Sequence, residues 1–148
     1  MVEMIKKMLP LLLLLLETGG CRASGCAAPE AFTQKVNEEL KTAKPFRLDK
    51  LTNFTWDHLH IIAPYTPISV AARQSGTNER ELSSSEIERS DMVSLLVFVQ
   101  GGRLARCMDF PRHLGDFSVV ASDVGAPNTG SFVGQIAGDG SVKVARVK

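Results

Sequence analysis

The chain has 148 residues and a formal net charge of +1, with 17 Lys and Arg against 16 Asp and Glu. This balance excludes the basic footprint that nucleic acid binding requires and the polybasic surface that anionic lipid attracts. Once an N-terminal signal of about 20 residues is set aside, the remaining length suits one domain with one hydrophobic core.

The first 20 residues have the pattern of an export signal. Lys6 and Lys7 form a short positive region, and a leucine-rich run over residues 9–16 follows, interrupted by Pro10. The run is too short to span a bilayer, which takes about 20 apolar residues. A buried core helix is disfavoured because continuous leucine leaves no polar face. We therefore predict a signal peptide over residues 1–20 and a protein exported to a bacterial cell envelope.

Small residues precede a cysteine twice after the leucine run. Residues 18–21 (TGGC) are similar to a bacterial lipobox, in which the cysteine receives acyl chains such as palmitate, and residues 23–26 (ASGC) form a second such string. The second string also fits the small-x-small pattern that ordinary signal peptidase cleaves. Cys21 is the favoured lipidation site because it is closer to the apolar run, and Cys26 is the alternative. Several acyl chains would anchor the protein stably, since each buried methylene contributes about 0.8 kcal/mol.

The chain contains three cysteines, Cys21, Cys26 and Cys107. If Cys21 carries the lipid, Cys26 and Cys107 are left as a pair in a compartment that permits disulfides. A bridge between them would close a long loop and stabilise the fold by about 4 kcal/mol in the chain-entropy model. The alternative is that Cys107 is a small apolar strand residue with a free thiol.

A tether and a helix follow the signal. Residues 21–28 are small and polar and predict a tether, ahead of a single domain at residues 29–148. Pro29 suits a first helical turn, and the helix is expected to end near Lys44 because Pro45 disfavours helix in the residue before it. Its apolar stripe recurs every four residues, at Phe32, Val36 and Leu40.

A strand and a second helix are predicted next. Residues 55–63 are rich in β-branched and aromatic side chains, which favours a strand. Thr66 as N-cap and Pro67 as first residue predict a short helix over residues 67–75, which Gly76 would terminate. The serine-rich residues 77–90 are expected to be a mobile connection with at most one helical turn.

The remaining chain predicts two hairpins. Residues 92–99 (MVSLLVFV) carry no charge, which is typical of a central strand covered on both faces. The glycine pair at residues 101–102 predicts a turn into a partner strand. That strand is expected to place Leu104, Met108 and Phe110 on one face and Cys107 and Asp109 on the other. A long loop over residues 111–128 precedes a second hairpin that turns at residues 138–140.

These elements predict an α+β fold. The expected architecture is a single small domain with a mostly antiparallel sheet of about five strands. One or two helices are expected to pack on one face of that sheet.

Four short motifs are similar to those of small bacterial envelope proteins, many of them lipoproteins. They are F-x-W-D at residues 54–57, I-x-P-Y-T-P at 62–67, L-V-F-V at 96–99, and F-P-R with G-D-F within 110–117. The resemblance implies an exported single domain and no mechanism, because that group has no established activity. In similar proteins the positions of His58 and His60 hold lysine and an aromatic residue, which argues against a shared role for these histidines.

The histidines form one candidate site. His58 and His60 are two residues apart on a predicted strand, so both rings project from the same face. With His113, or with Asp109 or Asp116, they would complete a zinc or copper site. The alternative is a solvated strand face, on which alternating polar side chains are ordinary.

A polar cleft is the second candidate site, and its members are Trp56, Asp57, Tyr65, Arg112 and Asp116. If the strands beside them are neighbours, Arg112 would bridge Asp57 or Asp116 bidentately and the cleft would bind an anion. The structural alternative is an ion pair that fixes a loop to the sheet and needs no ligand.

No sequence motif predicts catalysis. The chain has no G-x-S-x-G elbow, no phosphate-binding glycine loop and no dinucleotide fingerprint. The sequence therefore favours a non-enzymatic envelope lipoprotein that acts as an accessory module for an envelope protein or cell-wall partner, with a lipid anchor in the membrane and no nucleic acid partner. The alternative is a small metal-binding or hydrolytic envelope protein that uses His58 and His60, with zinc or copper as cofactor.

Overall fold

Two antiparallel sheets form the framework of the fold. The structure, a computed structural model, describes residues 25–121, 123–124 and 131–147. Its elements are α1 (Glu30–Lys41), β1 (Phe46–Arg47), β2 (His58–Ile62), α2 (Ile68–Ser75), α3 (Glu79–Leu82), β3 (Val93–Gln100), β4 (Arg103–Pro111), β5 (Asp123–Val124), β6 (Ser131–Ile136) and β7 (Val142–Arg146). Short 3-10 helices lie at Leu48–Lys50 and Phe117–Val120. The larger sheet has the order β4-β3-β2-β5 and the smaller one β1-β6-β7.

Strand β3 is the centre of the larger sheet because it is apolar on both faces. Residues 94–99 are all buried, with Leu96 and Phe98 in the core on one side and Leu95 and Val97 in the core on the other. Helix α1 and the smaller sheet cover the first face, and α2 and α3 cover the second. The prediction of a single, mostly antiparallel α+β domain is confirmed. The helices, however, lie on both faces of the sheet, because each face of a doubly apolar strand needs a cover.

Aromatic rings join the two sheets on the first face. Phe32 of α1 meets Phe110 edge-on at a centroid distance of 6.3 Å, and Phe110 meets Phe117 at 5.1 Å. Phe117 in turn contacts Phe132 of the smaller sheet at 5.6 Å. Edge-to-face pairs of this kind contribute about 0.5–1.5 kcal/mol each beyond their buried area. The chain of rings therefore fixes the smaller sheet and α1 against the larger sheet.

Residues 77–90 were predicted to be a mobile connection. They instead pack on the second face of the larger sheet, so that prediction is wrong. Within residues 77–90, Leu82 and Ile87 are fully buried. Helix α3 begins with a capping box, in which the Asn78 side chain accepts from Arg80 N and the Glu81 carboxylate accepts from Asn78 N. The segment was predicted to be mobile because it is rich in serine. The buried side chains of Leu82 and Ile87 nevertheless pack it against the sheet.

The ends of helix α2 follow the prediction in part. Gly76 adopts φ 67° and ends the helix, as expected for a left-handed cap. Thr66 does not cap the start, because its hydroxyl donates to Ala63 O at 2.7 Å. The carboxylate of Glu88 instead accepts from Ile68 N at 2.6 Å. The backbone N–H of Ile68 therefore donates to Glu88, 20 residues further along the chain, and not to the neighbouring Thr66 that the sequence suggested.

A β-bulge changes the face of one predicted core residue. The pairing of β3 with β4 shifts between Phe98 and Val99, so that Phe98 faces Arg106 and Val99 faces Leu104. The extra residue in β4 moves Leu104 to the same core as Cys107. The prediction that Leu104 shares a face with Met108 is therefore wrong.

The C-terminal hairpin forms as predicted. Strands β6 and β7 pair in antiparallel register from Phe132 with Arg146 to Ile136 with Val142. Gly134 on β6 passes so close to α1 that an added Cβ would lie 1.9 Å from Leu40 O. The smaller sheet thus packs directly against the last turn of that helix.

Candidate functional site

The start of the domain is fastened to the outer edge of β4. Cys26 and Cys107 form a disulfide with an S–S distance of 2.06 Å. Beside it, Cys26 O accepts from Asp109 N at 2.7 Å, and Ala27 pairs with Asp109. Residues 26 and 27, predicted as part of the tether, therefore belong to the folded domain. The predicted signal and Cys21 lie outside the described residues.

The disulfide bears on one of the two candidate lipid acceptors, Cys26. A thioether to lipid needs a free thiol, and the sulfur of Cys26 is already bonded to Cys107. Cys26 is also fully buried. Cys26 is therefore not available for lipid in this structure, and lipidation of Cys21 stays a prediction.

The five members of the predicted polar cleft do not come together, because Asp57 and Arg112 lie at opposite ends of the larger sheet; only Arg112 and Asp116 line one cleft, of about 270 Å³. Asp57 Oδ2 accepts from Gly101 N at 2.9 Å, at the end of β3. Arg112 N donates to Met92 O, just before the start of β3. An eight-residue strand separates these two points, which is about 25 Å at roughly 3.3 Å per residue. The antiparallel register thus prevents Arg112 from reaching Asp57.

The aromatic members of that cleft also separate. Trp56 is buried and packs against Phe98, with a centroid distance of 5.2 Å. Tyr65 is 62% exposed and lies beyond the other end of β2. Its φ of 62° is unusual for a bulky residue.

Arg112 and Asp116 form the loop-fixing ion pair of the structural alternative. The guanidinium donates to both carboxylate oxygens, at 3.0 Å from Nε and 2.9 Å from Nη2, and Nη1 donates to Asp91 O at 2.7 Å. Ser118 N also donates to Asp116 Oδ1 at 3.0 Å. Partial burial by itself raises the pKa of Asp116, but the bonds from Arg112 and Ser118 outweigh it and set the pKa below its ordinary value. The pair joins the loop after β4 to the segment before β3.

We expect Asp116→Asn to destabilise the protein by about 1–2 kcal/mol at neutral pH, because Arg112 loses a charged acceptor. The lowered pKa means that the carboxylate contributes stability above its ordinary pKa of 3.8, and that this stability is lost as the pH falls through the folded pKa. Denaturant unfolding between pH 2 and 7 should therefore show a shallower acid decline in the variant than in the native chain. Equal acid declines in both proteins would contradict this role.

His58 and His60 lie two residues apart on β2, and so on one face as predicted, but His113 is far from them. His58 is half-exposed and its Nδ1 contacts Asp57 Oδ1 at 2.9 Å. The hydrogen bond from Gly101 and then the contact with His58 lower the pKa of Asp57. His60 lines a shallow cleft of about 390 Å³ with Gln74 of α2. His113 lies at the other end of the larger sheet, next to Arg112.

The other candidate metal ligands are also engaged elsewhere. Asp109 accepts from Ser85 Oγ at 2.6 Å and from Glu86 N at 2.9 Å, which fixes residues 85–86 to β4. Asp116 is held by Arg112. Among the described residues, no group of three or more His, Cys, Asp or Glu is arranged to hold a metal ion. The structure therefore brings no third ligand to His58 and His60 within that part of the chain.

Sequence reasoning missed a groove on the first face, beside the fastened start of the domain. We call it the cationic groove and define it by Pro29, Ala31, Phe32, Lys35, Leu51, Thr52, Asn53, Phe54, Arg106 and Met108. Its volume is about 150 Å³. One wall is the first half of α1, the other is the loop after the first 3-10 helix, and β4 forms the floor. The two charged side chains that line it are both cations.

Arg106 is held inside the groove rather than extended into solvent. Its Cζ lies 5.0 Å from the centroid of the Phe54 ring, as in a cation–π contact. Its Nε is buried and has no hydrogen-bond acceptor. Nothing in the sequence connected Arg106 with Phe54, which lies about 50 residues earlier.

Comparisons with known proteins give no match. No protein-family model matches the chain, and no curated protein or solved structure is significantly similar to it. The similarity to small envelope lipoproteins therefore stays a prediction. Separately, no helix among residues 25–121, 123–124 and 131–147 is long and apolar enough to cross a membrane.

Proposed function

We propose that this protein is an exported bacterial envelope protein, anchored by a lipid on Cys21, whose domain is a non-enzymatic binding module for another envelope protein. The observation that carries this proposal is the Cys26–Cys107 disulfide. Disulfides persist in oxidising compartments outside the cytoplasm. The bridge begins five residues after the candidate lipid acceptor, directly behind the predicted signal.

The fastened start of the domain supports an anchor that holds it close to a membrane. Residues 22–25 separate Cys21 from Cys26, so the two Cα atoms are at most about 18 Å apart, at roughly 3.6 Å per residue. Cys26 is joined to β4 both by the disulfide and by the hydrogen bond to Asp109. A lipid on Cys21 would therefore present this edge of the larger sheet to the membrane at a short, limited distance.

The engagement of the candidate acidic residues supports a binding role over catalysis. Asp57 holds the β3–β4 turn through Gly101, and Asp109 holds residues 85–86. Asp116 holds the loop after β4 through Arg112. Each carboxylate that the sequence nominated for chemistry is used to fix a connection of the fold. The cationic groove, in contrast, offers charged donors that make no ion pair within the described residues.

Changing Cys21 to serine tests the anchor. With the native signal and a bacterial host, we expect the wild-type protein in the membrane fraction and Cys21→Ser in the soluble exported fraction, because serine cannot form the thioether to lipid. The measurement is immunoblotting of separated membrane, soluble envelope and cytoplasmic fractions. As the matched control, Cys26→Ser removes both the disulfide and the alternative lipid acceptor but keeps Cys21, so any protein that survives should stay with the membrane. A wild-type protein found in the cytoplasm, or a Cys21→Ser protein retained by the membrane, would contradict the proposal.

A further inference from the structure

We propose that the cationic groove is the partner-binding site and that it takes one acidic side chain of a protein partner, a carboxylate on a short apolar stem. This inference deepens the proposed binding role and rests on it. It is carried by the charge, the shape and the rigidity of the groove.

The charge of the groove favours an anion. Lys35 and Arg106 line it, no carboxylate does, and neither cation makes an ion pair among the described residues. The guanidinium has a buried Nε without an acceptor, which is an unfavourable arrangement for a free surface arginine. A planar guanidinium matches the two oxygens of a carboxylate, and a lysine ammonium adds a second donor.

The shape of the groove suits a side chain with an apolar stem. Phe32, Leu51 and Met108 supply apolar surface below the two cations. The volume of about 150 Å³, at roughly 10–15 Å³ for one water, has room for about ten waters. A glutamate side chain has five non-hydrogen atoms, two of which are methylene carbons. The groove therefore accommodates one such side chain from a partner.

The walls of the groove are fixed before any partner arrives. Phe54, under the guanidinium, meets Phe98 edge-on with a centroid distance of 5.1 Å. Trp56 Nε1 donates to Thr52 Oγ1 at 3.0 Å, which holds the loop that forms the second wall. A preformed site loses little conformational entropy on binding, so a single carboxylate is enough for measurable affinity.

A single carboxylate fits the surroundings better than an anionic membrane does. Glu30 is exposed in the first turn of α1, next to the groove, and Glu38 follows one turn after Lys35. A flat anionic bilayer would meet these carboxylates together with the cations, whereas an inserted side chain would meet the cations alone. The net charge of +1 gives no further attraction to such a surface.

The test uses purified Cys21→Ser protein labelled with ¹⁵N and two uncharged-backbone probes, N-acetylglutamate amide and N-acetylglutamine amide. The buried Nε–H of Arg106 should give a protected NMR signal, identified by its loss in Arg106→Gln. We expect the glutamate probe to shift this signal and the amides of residues 52–54, with a dissociation constant on the order of millimolar. We expect no shift from the glutamine probe, which has the same shape without the charge.

Substitutions make the result specific to the groove. Lys35→Gln and Arg106→Gln should each weaken binding by about fivefold or more, since each removes one charged donor. Arg103→Gln, an exposed arginine of the same strand outside the groove, should leave the affinity unchanged. Lys35 is exposed on α1, so its variant keeps the test valid if Arg106→Gln fails to fold.

Three outcomes would overturn this inference: equal shifts from both probes, an affinity that neither substitution changes, or Arg106-dependent binding to vesicles of phosphatidylcholine and phosphatidylglycerol without a response to the glutamate probe. The last result would identify a lipid headgroup as the ligand. The probes are added to soluble protein, so failure here leaves the anchoring result from Cys21→Ser untouched, and the two failures are distinguishable.

Discussion

Loss of the Cys26–Cys107 bond is expected to lower the free energy of unfolding by about 4 kcal/mol in the chain-entropy model. The bridged residues are 81 positions apart, so the open chain gains much more conformational freedom in the unfolded state than in the native state. A small domain has a total stability of about 5–15 kcal/mol. The bond therefore supplies a large share of the stability, and the reduced domain should be only marginally folded.

Denaturant unfolding with and without a thiol reductant measures the stability that the disulfide contributes. The Cys21→Ser protein is used because it has no third thiol that could exchange with the bond. Reduction keeps both sulfur atoms in place, so it isolates the covalent bond from the packing of two buried side chains. The variant with both Cys26→Ala and Cys107→Ala should lose slightly more stability, because it also loses contacts in the core of α2 and α3. A change of less than about 1 kcal/mol in both experiments would show that the bridge is dispensable.

Gly134→Ala should destabilise the domain by about 3 kcal/mol or more. The added Cβ would lie 1.9 Å from Leu40 O and 2.6 Å from Leu40 C. Both atoms belong to the backbone at the end of α1, so no side-chain rotation relieves the clash. Either β6 or the last turn of the helix must move, which disturbs the contact between the smaller sheet and α1.

Gly138→Ala is the matched control for this substitution. Gly138 lies in the turn of the same hairpin, and an added Cβ meets no atom within 4 Å. Its effect should stay within about 0.5 kcal/mol. Thermal unfolding of the two variants and the native protein compares them directly, and equal stabilities for Gly134→Ala and Gly138→Ala would show that α1 does not pack on β6 as described.

Local chemistry explains the parts of the fold that the sequence predicted. The uncharged run of residues 92–99 predicted a covered strand, and residues 94–99 are buried in β3, although Met92 at the start of the run is exposed. The spacing of Phe32, Val36 and Leu40 defined the buried face of α1, and all three are buried. Gly76 ended α2 because a left-handed residue without Cβ strain is needed there. These features depend on neighbours within one or two turns of the chain.

Long-range register explains the parts that the sequence could not predict. The bulge opposite Phe98 moves Leu104 to another face, and no residue type in β4 predicts this bulge. Asp57 and Arg112 were predicted to share a cleft, but the antiparallel pairing places them at opposite ends of β3. The cationic groove depends on Phe54 and Arg106 meeting across about 50 residues. Each of these features is decided by a contact between distant segments.

Strand β4, at the edge of the larger sheet, carries both the disulfide and part of the proposed binding site. Strand β4 carries Cys107, which holds the start of the domain, and Arg106, which lies in the cationic groove. Neighbouring residues on a strand face opposite sides. The disulfide and the groove therefore occupy opposite faces of the same strand, and the proposed lipid anchor would reach the domain at the strand that also lines the proposed partner site.

The intact mass of the protein purified from membranes under non-reducing conditions tests the central claim most directly. We predict a chain that begins at Cys21, carries acyl chains on that residue, and is two hydrogens lighter than the reduced form because Cys26 and Cys107 are bonded. A mass that includes Met1 and the leucine run, with three free thiols, would contradict export, lipid attachment and the bridge together.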